Sequence, residues 1–312
     1  MVERKIDPIS FPDGVLVVDK PSGPTSHDVV TLARRALGVS RIGHTGTLDP
    51  IATGVLPLVV GRATRLAQYF SASHKEYEAT VAFGRATDTY DIAGTVLSTS
   101  PERPTPDALD AALARFRGTF EQTPPAYSAK SIDGERAYAL ARKGGDAPAR
   151  RPKAVTVTVE RLDLVAFDGD TVRLSMRVTP GFYVRSLAHD LGAALGMGAV
   201  IAALRRTRSG EFDLAMAVPL EELLRSDREA LAARLVPFDT LLPDLPSAIL
   251  SPTALERVKN GLEVGPGDVS GLPESLPPLT RLMGPGGQLV ALAKPGKAAG
   301  FLHASVVLGP QS

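Results

Sequence analysis

The chain has 312 residues, of which 44% are hydrophobic and 22% charged, the composition of a globular protein long enough to bury a core. It contains no cysteine, which excludes disulfides and thiolate metal sites. Its 35 basic and 34 acidic residues leave a net charge of +1, so overall charge does not indicate a polyanionic partner.

The compartment is inferred from what the sequence lacks. Residues 1–14 mix both charge signs around no apolar segment, so they do not resemble a signal peptide. No run approaches the roughly 18 apolar residues that a membrane helix requires. The lack of cysteine is compatible with a reducing compartment. We therefore expect a cytoplasmic protein without a membrane segment, and a monomer by default.

Apolar periodicity and turn residues predict the secondary structure. In chain order the predicted elements are strand 14–20, helix 26–37, strand 55–60, helix 63–70, strands 75–84 and 95–99, helix 105–118, strands 153–167 and 171–179, helix 184–195, and one or two strands over 198–214. Thr25 or Ser26 caps the first helix and Gly38 closes it. The alternation of 75–84 before a polar loop predicts a hairpin with 95–99. Strands and helices mix without regular βαβ alternation, which favours an α+β fold around a mixed, largely antiparallel sheet flanked by helices.

The composition changes after about residue 240. A proline-rich stretch, LLPDLPSAILSP, is typical of a boundary, and the short apolar runs that follow are separated by glycine and proline. We therefore predict two domains, 1–244 and 245–312, of which the second is small and β-rich.

Residues 121–154 read as irregular, with one short helix around 135–144. Seven basic residues and three acidic residues between 130 and 153 give this segment a local charge of +4: Lys130, Arg136, Arg142, Lys143, Arg150, Arg151 and Lys153 against Asp133, Glu135 and Asp146. On charge alone this segment is either a solvated basic face or an element that contacts phosphates.

The glycine-rich stretch GHTGTLDPIATGVLPLVVGRATR, residues 43–65, holds one carboxylate, Asp49, directly before Pro50. It matches neither the P-loop pattern nor the dinucleotide-binding pattern. The five histidines of the chain show no metal-ligand spacing, so we expect no metal site. Two interpretations remain for Asp49. It caps a turn, or it is a rigidly held covalent nucleophile that a nearby arginine keeps ionised.

The same stretch resembles the catalytic signature of the TruB family of tRNA pseudouridine-55 synthases. Further segments resemble the family in the same order: VVDKPSGPTSHDVV, SHKEYEATVAFGRATDTYDIAG, PPAYSAKSIDGERAYALARKG, TPGFYVRSLAHDLG and LRRTRSG. Together they cover roughly residues 12–215. The resemblance implies the bacterial type of enzyme, with a pseudouridine synthase catalytic domain over 1–244 and a PUA-like RNA-binding domain over 245–312. Ile51 and His74 depart from common family residues, and neither departure removes a proposed catalytic group.

The implied reaction is an isomerisation that requires no cofactor. The bond from uracil to ribose is broken, the base rotates, and it is rejoined through its C5 carbon. The resemblance implies that Asp49 is the nucleophile, toward the ribose or toward C6 of the base. It implies that Tyr77 stacks on the base and is a candidate for proton transfer, and that Arg185 pairs with the aspartate. As alternatives, Tyr77 is an ordinary strand aromatic and Arg185 a helix-surface charge.

Five further residues match positions of the family around the substrate. His44 matches a histidine that contacts RNA, Tyr183 an aromatic packed in the site, and Asp91 a polar residue that networks with the arginine. Lys20 and Leu204 match positions that line or brace the pocket. Four of the five have a structural alternative: His44 is a loop histidine without a role, Tyr183 only packs, Asp91 is a simple loop carboxylate, or Leu204 belongs to the core.

The implied RNA substrate also gives the basic segment a role. The family grips RNA with a thumb insertion, here about 124–153, and Lys130 and Arg142 are its candidate phosphate contacts. Because chemistry on a base in folded RNA requires extruding that base, phosphate contacts and aromatic stacking must offset the unstacking. We expect this thumb to dock on the T-arm or elbow of tRNA, with no obligatory protein partner.

Two rival functions belong to other classes. A nucleoside or glycoside hydrolase would use Asp49 together with a second carboxylate, for which Asp88 or Asp91 is available, and would release free uracil. A non-catalytic RNA-binding or RNA-folding protein would not need Asp49 at all. A guide-RNA-dependent relative is a further alternative within the broader family.

Overall fold

The structure is a computed structural model. It describes residues 11–125, 131–132, 135–136, 153–272 and 275–308. Lys130, Arg142 and most of the predicted thumb therefore lie outside the described residues. Of the short helix predicted over 135–144, only 135–136 are described, and they form a strand instead.

The helices of the described part of the chain are short. They are α1 (Ser26–Leu37), α2 (Ala67–Ser71), α3 (Pro106–Ala114), α4 (Val184–Ala194), α5 (Leu220–Arg225), α6 (Arg228–Ala233) and α7 (Pro252–Lys259), with 3-10 turns at Gly61–Leu66, Leu214–Met216 and Phe238–Thr240. None of these helices has the length and apolarity to cross a bilayer.

Strands dominate the rest of the described chain. They are β1 (Gly14–Lys20), β2 (Ile42–His44), β3 (Ala52–Val60), β4 (Lys75–Phe83), β5 (Arg85–Thr87), β6 (Val96–Thr99), β7 (Gly118–Gln122), β8 (Ser131–Ile132), β9 (Glu135–Arg136), β10 (Val155–Phe167), β11 (Thr171–Val178), β12 (Ala199–Ser209), β13 (Phe212–Asp213), β14 (Val218–Pro219), β15 (Val236–Pro237), β16 (Ser247–Leu250), β17 (Val269–Ser270), β18 (Thr280–Met283), β19 (Leu289–Pro295) and β20 (Leu302–Val307).

A mixed sheet forms the centre of the molecule. Its order is β14-β1-β3-β12-β4-β11-β10-β7, with β2, β13 and β15 paired alongside. The β1–β14 and β3–β12 pairs are parallel and the other neighbours antiparallel. A second sheet, β17-β16-β18-β19-β20, follows in the C-terminal part. The predicted α+β fold, with a mixed and largely antiparallel sheet and a β-rich C-terminal part, is confirmed.

Helix α1 shows why the local predictions succeed. Thr25 accepts a hydrogen bond from the Asp28 backbone N–H, and the Asp28 carboxylate accepts one from the Thr25 backbone N–H, which forms a capping box. Gly38 ends the helix at φ 63°, a left-handed conformation that glycine adopts without a Cβ clash. Val29 and Ala33 then pack into the core from one face of the helix.

Three local predictions are wrong. Strand β4 does not pair with residues 95–99; it lies between β11 and β12, and β6 pairs with β5 instead. The third predicted helix ends at Ala114, and Gly118 begins strand β7. The predicted helix over 63–70 is a 3-10 turn followed by the short helix α2.

Side chains alternate along β1, so the central sheet buries apolar residues on both faces. Leu16 and Val18 face the helices, and Val15 and Val17 face the C-terminal part of the chain. The second core joins the two sheets: it contains Val15, Val17, Val55, Phe212, Leu289, Leu292 and Leu308 among others. Arg65, in the 3-10 turn that follows β3, donates a hydrogen bond of 2.6 Å to the Val307 carbonyl of strand β20.

Glu211 bonds to the chain that leads to the second sheet. Both of its carboxylate oxygens accept the Leu242 N–H at 3.2 Å, and Leu242 has an unusual φ of 59°. Burial raises the pKa of Glu211 from 4.5 to about 7; the Leu242 N–H opposes this rise, and the Asp244 charge adds to it.

We expect this carboxyl to make stability depend on pH. Its folded-state pKa lies above its unfolded value, so between about pH 4.5 and pH 7 the folded protein holds a proton that the unfolded chain loses. The free energy of unfolding should fall by about 1 kcal/mol as pH rises through this window. Glu211→Gln should remove this component, because glutamine does not titrate. Its amide oxygen can still accept the Leu242 N–H, so the fold should be kept. Chemical denaturation at pH 5 and pH 8 measures it. The exposed control Glu256→Gln should keep the wild-type difference; if Glu211→Gln also kept it, the assignment would be wrong.

Candidate active site

A cleft of about 270 Å³ opens beside the central sheet. Five of the residues singled out in the sequence line it: Asp49, Tyr77, Tyr183, Arg185 and Leu204. Three others lie behind or beside its wall, namely Lys20, His44 and Asp91. The cleft therefore brings together residues that are far apart in the chain, such as Asp49 and Leu204, which are 155 positions apart.

The loop between β2 and β3 carries Asp49 and is fixed from both sides. The Ser26 hydroxyl, at the start of α1, accepts the Leu48 N–H at 2.8 Å and donates to the Leu48 carbonyl at 3.1 Å. The Asp49 carbonyl accepts the Ala52 N–H at 3.0 Å, and the Pro50 carbonyl accepts the Gly23 N–H at 2.9 Å. The Asp49 side chain remains 33% exposed, so it is held in place yet open to the cleft.

Arg185, on the first turn of α4, forms an ion pair with Asp49. Its Nη2 donates to Asp49 Oδ1 at 3.0 Å, and its Nε lies 2.8 Å from Asp49 Oδ2. Its Nη1 donates to the Thr89 carbonyl at 2.9 Å. The arginine side chain is only 6% exposed, so this two-point contact is largely screened from water and sets the direction of the carboxylate.

Asp91 lies on the far side of the same guanidinium. Its Oδ2 is 3.9 Å from Arg185 Nη1. Its Oδ1 accepts the Thr89 hydroxyl at 2.8 Å and the Ala93 N–H at 3.0 Å, which fixes a buried carboxylate in the loop between β5 and β6. Arg185 thus lies between two carboxylates, one open to the cleft and one buried.

Lys20 supports the Asp49 loop from below without reaching the cleft. Its fully buried ammonium donates to the carbonyl oxygens of Pro21 at 2.8 Å, Pro50 at 3.3 Å and Ala52 at 2.7 Å. Burial lowers the pKa of Lys20 to about 8, against the opposing effect of the Asp49 charge. Through its bonds to Pro50 and Ala52, Lys20 contacts the chain that follows Asp49, and its role in the site stays a prediction.

Lys20→Met should therefore weaken both the fold and the site. Because three buried carbonyl oxygens lose their shared donor, we expect the free energy of unfolding to drop by about 3 kcal/mol. We expect kcat to fall at least about 10-fold, because the Asp49 loop loses an anchor. Thermal denaturation and steady-state kinetics measure the two effects. Lys259→Met, which removes a surface ion pair with Glu256, is the control and should change neither quantity.

The remaining lining residues supply flat and apolar walls. Tyr77 and Leu204 come from the adjacent strands β4 and β12, where Leu204 is level with Ala79. Tyr183 precedes α4, and its backbone N–H and carbonyl bond the Gln122 side-chain amide at 2.8 and 3.0 Å. These walls can hold a planar ring beside the carboxylate.

His44 ends strand β2 at the edge of the site. Its Nδ1 accepts the Gly46 N–H at 3.4 Å. His44 is not among the residues that line the cleft, and its contact with RNA stays a prediction.

Two charged lining residues were missed by the sequence interpretation. Lys75 and Arg206 are charged residues on β4 and β12, and only 7% and 1% of their surfaces are exposed. Both stand in quoted motifs, HKEY and LRRTR, beside residues that were chosen. Gly54 permits the approach of β12, because a Cβ at this position, where φ is 102°, would lie 2.2 Å from the Arg206 carbonyl oxygen.

The described residues show no group of three or more histidine or acidic side chains placed to hold a metal ion. The cleft offers one carboxylate, oriented by an arginine, beside an aromatic ring and buried cations. Such a group can act as a covalent nucleophile.

Comparison with known families agrees with the resemblance of the motifs. Residues 34–184 match the N-terminal domain of the TruB family pseudouridylate synthases, and residues 185–243 match the tRNA pseudouridylate synthase B C-terminal domain. These two matches account for most of the chain.

Individual relatives give the same result. A tRNA pseudouridine synthase B of Solibacter usitatus is 48% identical over 80% of this chain and 85% of its own length. One from Azoarcus sp. is 43% identical over 84% of this chain and 86% of its own. A chain in the structure of an H/ACA ribonucleoprotein bound to a substrate RNA containing 2′-deoxyuridine superposes with a TM-score of 0.73 and 25% identity, covering 97% of this chain and 86% of that one. The chain therefore belongs to the TruB family of pseudouridylate synthases.

Proposed function

We propose that this protein converts uridine to pseudouridine at position 55, in the T loop of tRNA, with Asp49 as the nucleophile. The observation that carries the proposal is the Asp49–Arg185 pair, at 2.8 and 3.0 Å, inside a cleft of a TruB family chain. The names of the curated relatives, tRNA pseudouridine synthase B, support tRNA as the substrate.

The reaction balances without an external reactant. The bond between N1 of uracil and C1′ of ribose breaks, a bond from C5 to C1′ forms, C5 loses its proton and N1 gains one. Asp49 forms the transient covalent bond, to the ribose or to C6 of the base, and is regenerated. Tyr77 stacks on the base and is the candidate to move a proton, while Arg185 directs the carboxylate toward the reacting atom.

The substrate base must leave its stack to reach Asp49, which costs a few kcal/mol. Tyr77, Leu204 and Tyr183 offset part of this through contact with the extruded base, and Lys20 and Asp91 hold the catalytic pair in position. His44 contacts RNA at the edge of the cleft. The thumb, about 124–153, contacts phosphates of the T-arm through Lys130 and Arg142.

The proposal includes a division of labour along the chain. Residues 1–244 form the catalytic domain, and residues 245–312 form a PUA-like domain that binds RNA. The enzyme acts as a cytoplasmic monomer on the T-arm and elbow of tRNA, without a cofactor and without an obligatory protein partner.

Tritium release from an unmodified tRNA transcript labelled at uridine C5 tests the function. We expect release from one uridine, which mapping places at position 55, with no free uracil. Free uracil would instead identify a hydrolase. Tight tRNA binding without any release would identify a non-catalytic RNA-binding protein.

A further inference from the structure

Two buried cations of the cleft have no role in the reaction described above. Lys75 and Arg206 lie on adjacent strands of the central sheet, line the cleft, and are almost fully buried. Burial, and next the Arg206 charge, lower the pKa of Lys75 to about 8, so the two groups lie close enough to repel each other.

Within the described residues, both cations bond only to backbone carbonyl oxygens. Lys75 donates to Phe70, Ser71 and Ser73 at 3.3, 2.7 and 2.6 Å. Arg206 donates from Nε to Val55 at 2.7 Å and from Nη2 to Gly46 at 3.0 Å. These bonds satisfy N–H groups but supply no negative charge, and a buried charge is unfavourable without a counterion.

The wall next to Arg206 is open and carries an unused hydroxyl. Gly46 has no side chain there: a Cβ on it would lie 3.4 Å from Arg206 Nη1 and 4.0 Å from Lys75 Cε. The neighbouring Thr45 is fully buried, and its hydroxyl has no hydrogen-bond partner among the described residues. Thr45, Gly46 and Arg206 all line the cleft, and Thr45 and Gly46 are adjacent in the chain.

The sheet register orders these side chains in successive rows along the cleft. Leu204 is level with Ala79, Arg206 is level with Tyr77, and Lys75 lies two residues further along β4. At about 3.4 Å per residue, Ala79 and Lys75 are about 14 Å apart along the strand. Leu204 thus lies in a first row across the two strands, Tyr77 and Arg206 in a second and Lys75 in a third. A nucleotide can lie across these rows with its base against Leu204 and Tyr77 and its phosphate on the Arg206 side, toward Lys75.

We propose that Arg206, Thr45 and the open wall at Gly46, beside the Lys75 ammonium, form a subsite for a phosphodiester that flanks the target uridine. The inference rests on the proposed function, because it identifies which part of the RNA enters the cleft behind the base. Arg206 donates a hydrogen bond directly to the phosphodiester. Lys75 attracts the phosphodiester only through its positive charge, since its three ammonium N–H groups already donate to carbonyl oxygens.

Neutralising single phosphates of the RNA tests the subsite without altering the protein. The probe is a synthetic T-arm hairpin with tritiated uridine, carrying a methylphosphonate at the 5′ or the 3′ phosphate of the target uridine, or at a stem phosphate as control. We expect one flanking substitution to lower kcat/KM about 30-fold, and the stem substitution to lower it less than about 3-fold.

Protein variants then locate the effect. Arg206→Gln should lower kcat/KM on the unmodified hairpin about 30-fold, and the flanking methylphosphonate should then cost less than about 3-fold more. Gly46→Ala fills the open wall without a forbidden backbone angle and should give the same loss of sensitivity, which keeps the test intact if Arg206→Gln does not fold. Arg205→Gln is the control, because Arg205 pairs with Asp19 and should leave the methylphosphonate effect at its wild-type size.

The outcomes separate the two proposals. An active enzyme that tolerates both flanking methylphosphonates overturns the subsite and leaves the proposed function standing. So does a flanking effect that stays full-sized in both Arg206→Gln and Gly46→Ala, which would place the phosphate elsewhere. A wild-type protein that releases no tritium from unmodified hairpin or from tRNA overturns the proposed function and the subsite with it.

Discussion

Asp49→Asn is expected to abolish tritium release from C5-labelled tRNA while leaving tRNA affinity within about 3-fold of wild type. The amide keeps the size of the carboxylate and one acceptor oxygen for Arg185, so the loop should keep its shape. It does not keep the charge or the nucleophilicity that a covalent step requires. We expect kcat to fall at least about 10⁴-fold. Single-turnover tritium release and filter binding on the same preparation measure the two quantities.

The control for this variant is a carboxylate outside the cleft. Asp163→Asn, on strand β10, removes an exposed charge that pairs with Arg161 and should leave turnover unchanged. Turnover above about 1% of wild type in Asp49→Asn would contradict the assignment of the nucleophile. Loss of tRNA affinity in parallel with turnover would instead indicate that Asp49 acts in binding.

The elements that the sequence predicted well are those fixed by near neighbours in the chain. Thr25, Asp28 and Gly38 determine helix α1 by hydrogen bonds and backbone conformation within fourteen residues, and the structure shows those bonds. The Asp168–Asp170 turn likewise joins β10 to β11 as a local hairpin. Elements of this kind can be predicted because all the residues that determine them lie in one short segment of the chain.

Strand β4 shows where local reasoning ends. Its alternation correctly predicts a strand, but its partners β11 and β12 begin about 90 and 120 residues later in the chain. The nearest β-prone segment, 95–99, was the obvious partner from spacing alone. Since non-local pairing depends on how whole faces pack, a single sequence does not reveal it.

The site divides in the same way. A constrained carboxylate at Asp49 is visible in the residues, but nothing local selects Arg185, 136 positions later, from the other arginines. The family resemblance supplied that pair, and the structure places the two side chains in contact. The sequence analysis missed Lys75 and Arg206 because charged residues on strands are normally solvated. Only the packed sheet shows that these two side chains are buried.

Arg185→Lys is expected to lower kcat about 10²- to 10³-fold with little change in KM. The guanidinium contacts both oxygens of Asp49 and the Thr89 carbonyl at once, through three different nitrogens. An ammonium is a single centre and cannot span these acceptors, so the carboxylate keeps a nearby positive charge but loses its fixed direction. Steady-state kinetics on tRNA, with thermal denaturation to confirm folding, measures the effect. Arg161→Lys, at a surface ion pair with Glu76, is the matched control and should change neither kcat nor thermal stability.

Arg185→Met separates geometry from charge. It leaves the buried Asp91 without its cation, so the free energy of unfolding should fall by about 3 kcal/mol in addition to the loss of turnover. Combining it with Asp91→Asn removes the uncompensated charge and should restore most of the stability, but not the activity, because Asp49 remains undirected. If the double variant recovered turnover together with stability, Arg185 would serve the fold alone. Recovery of stability without turnover would assign to Arg185 the task of directing Asp49 at the reacting carbon.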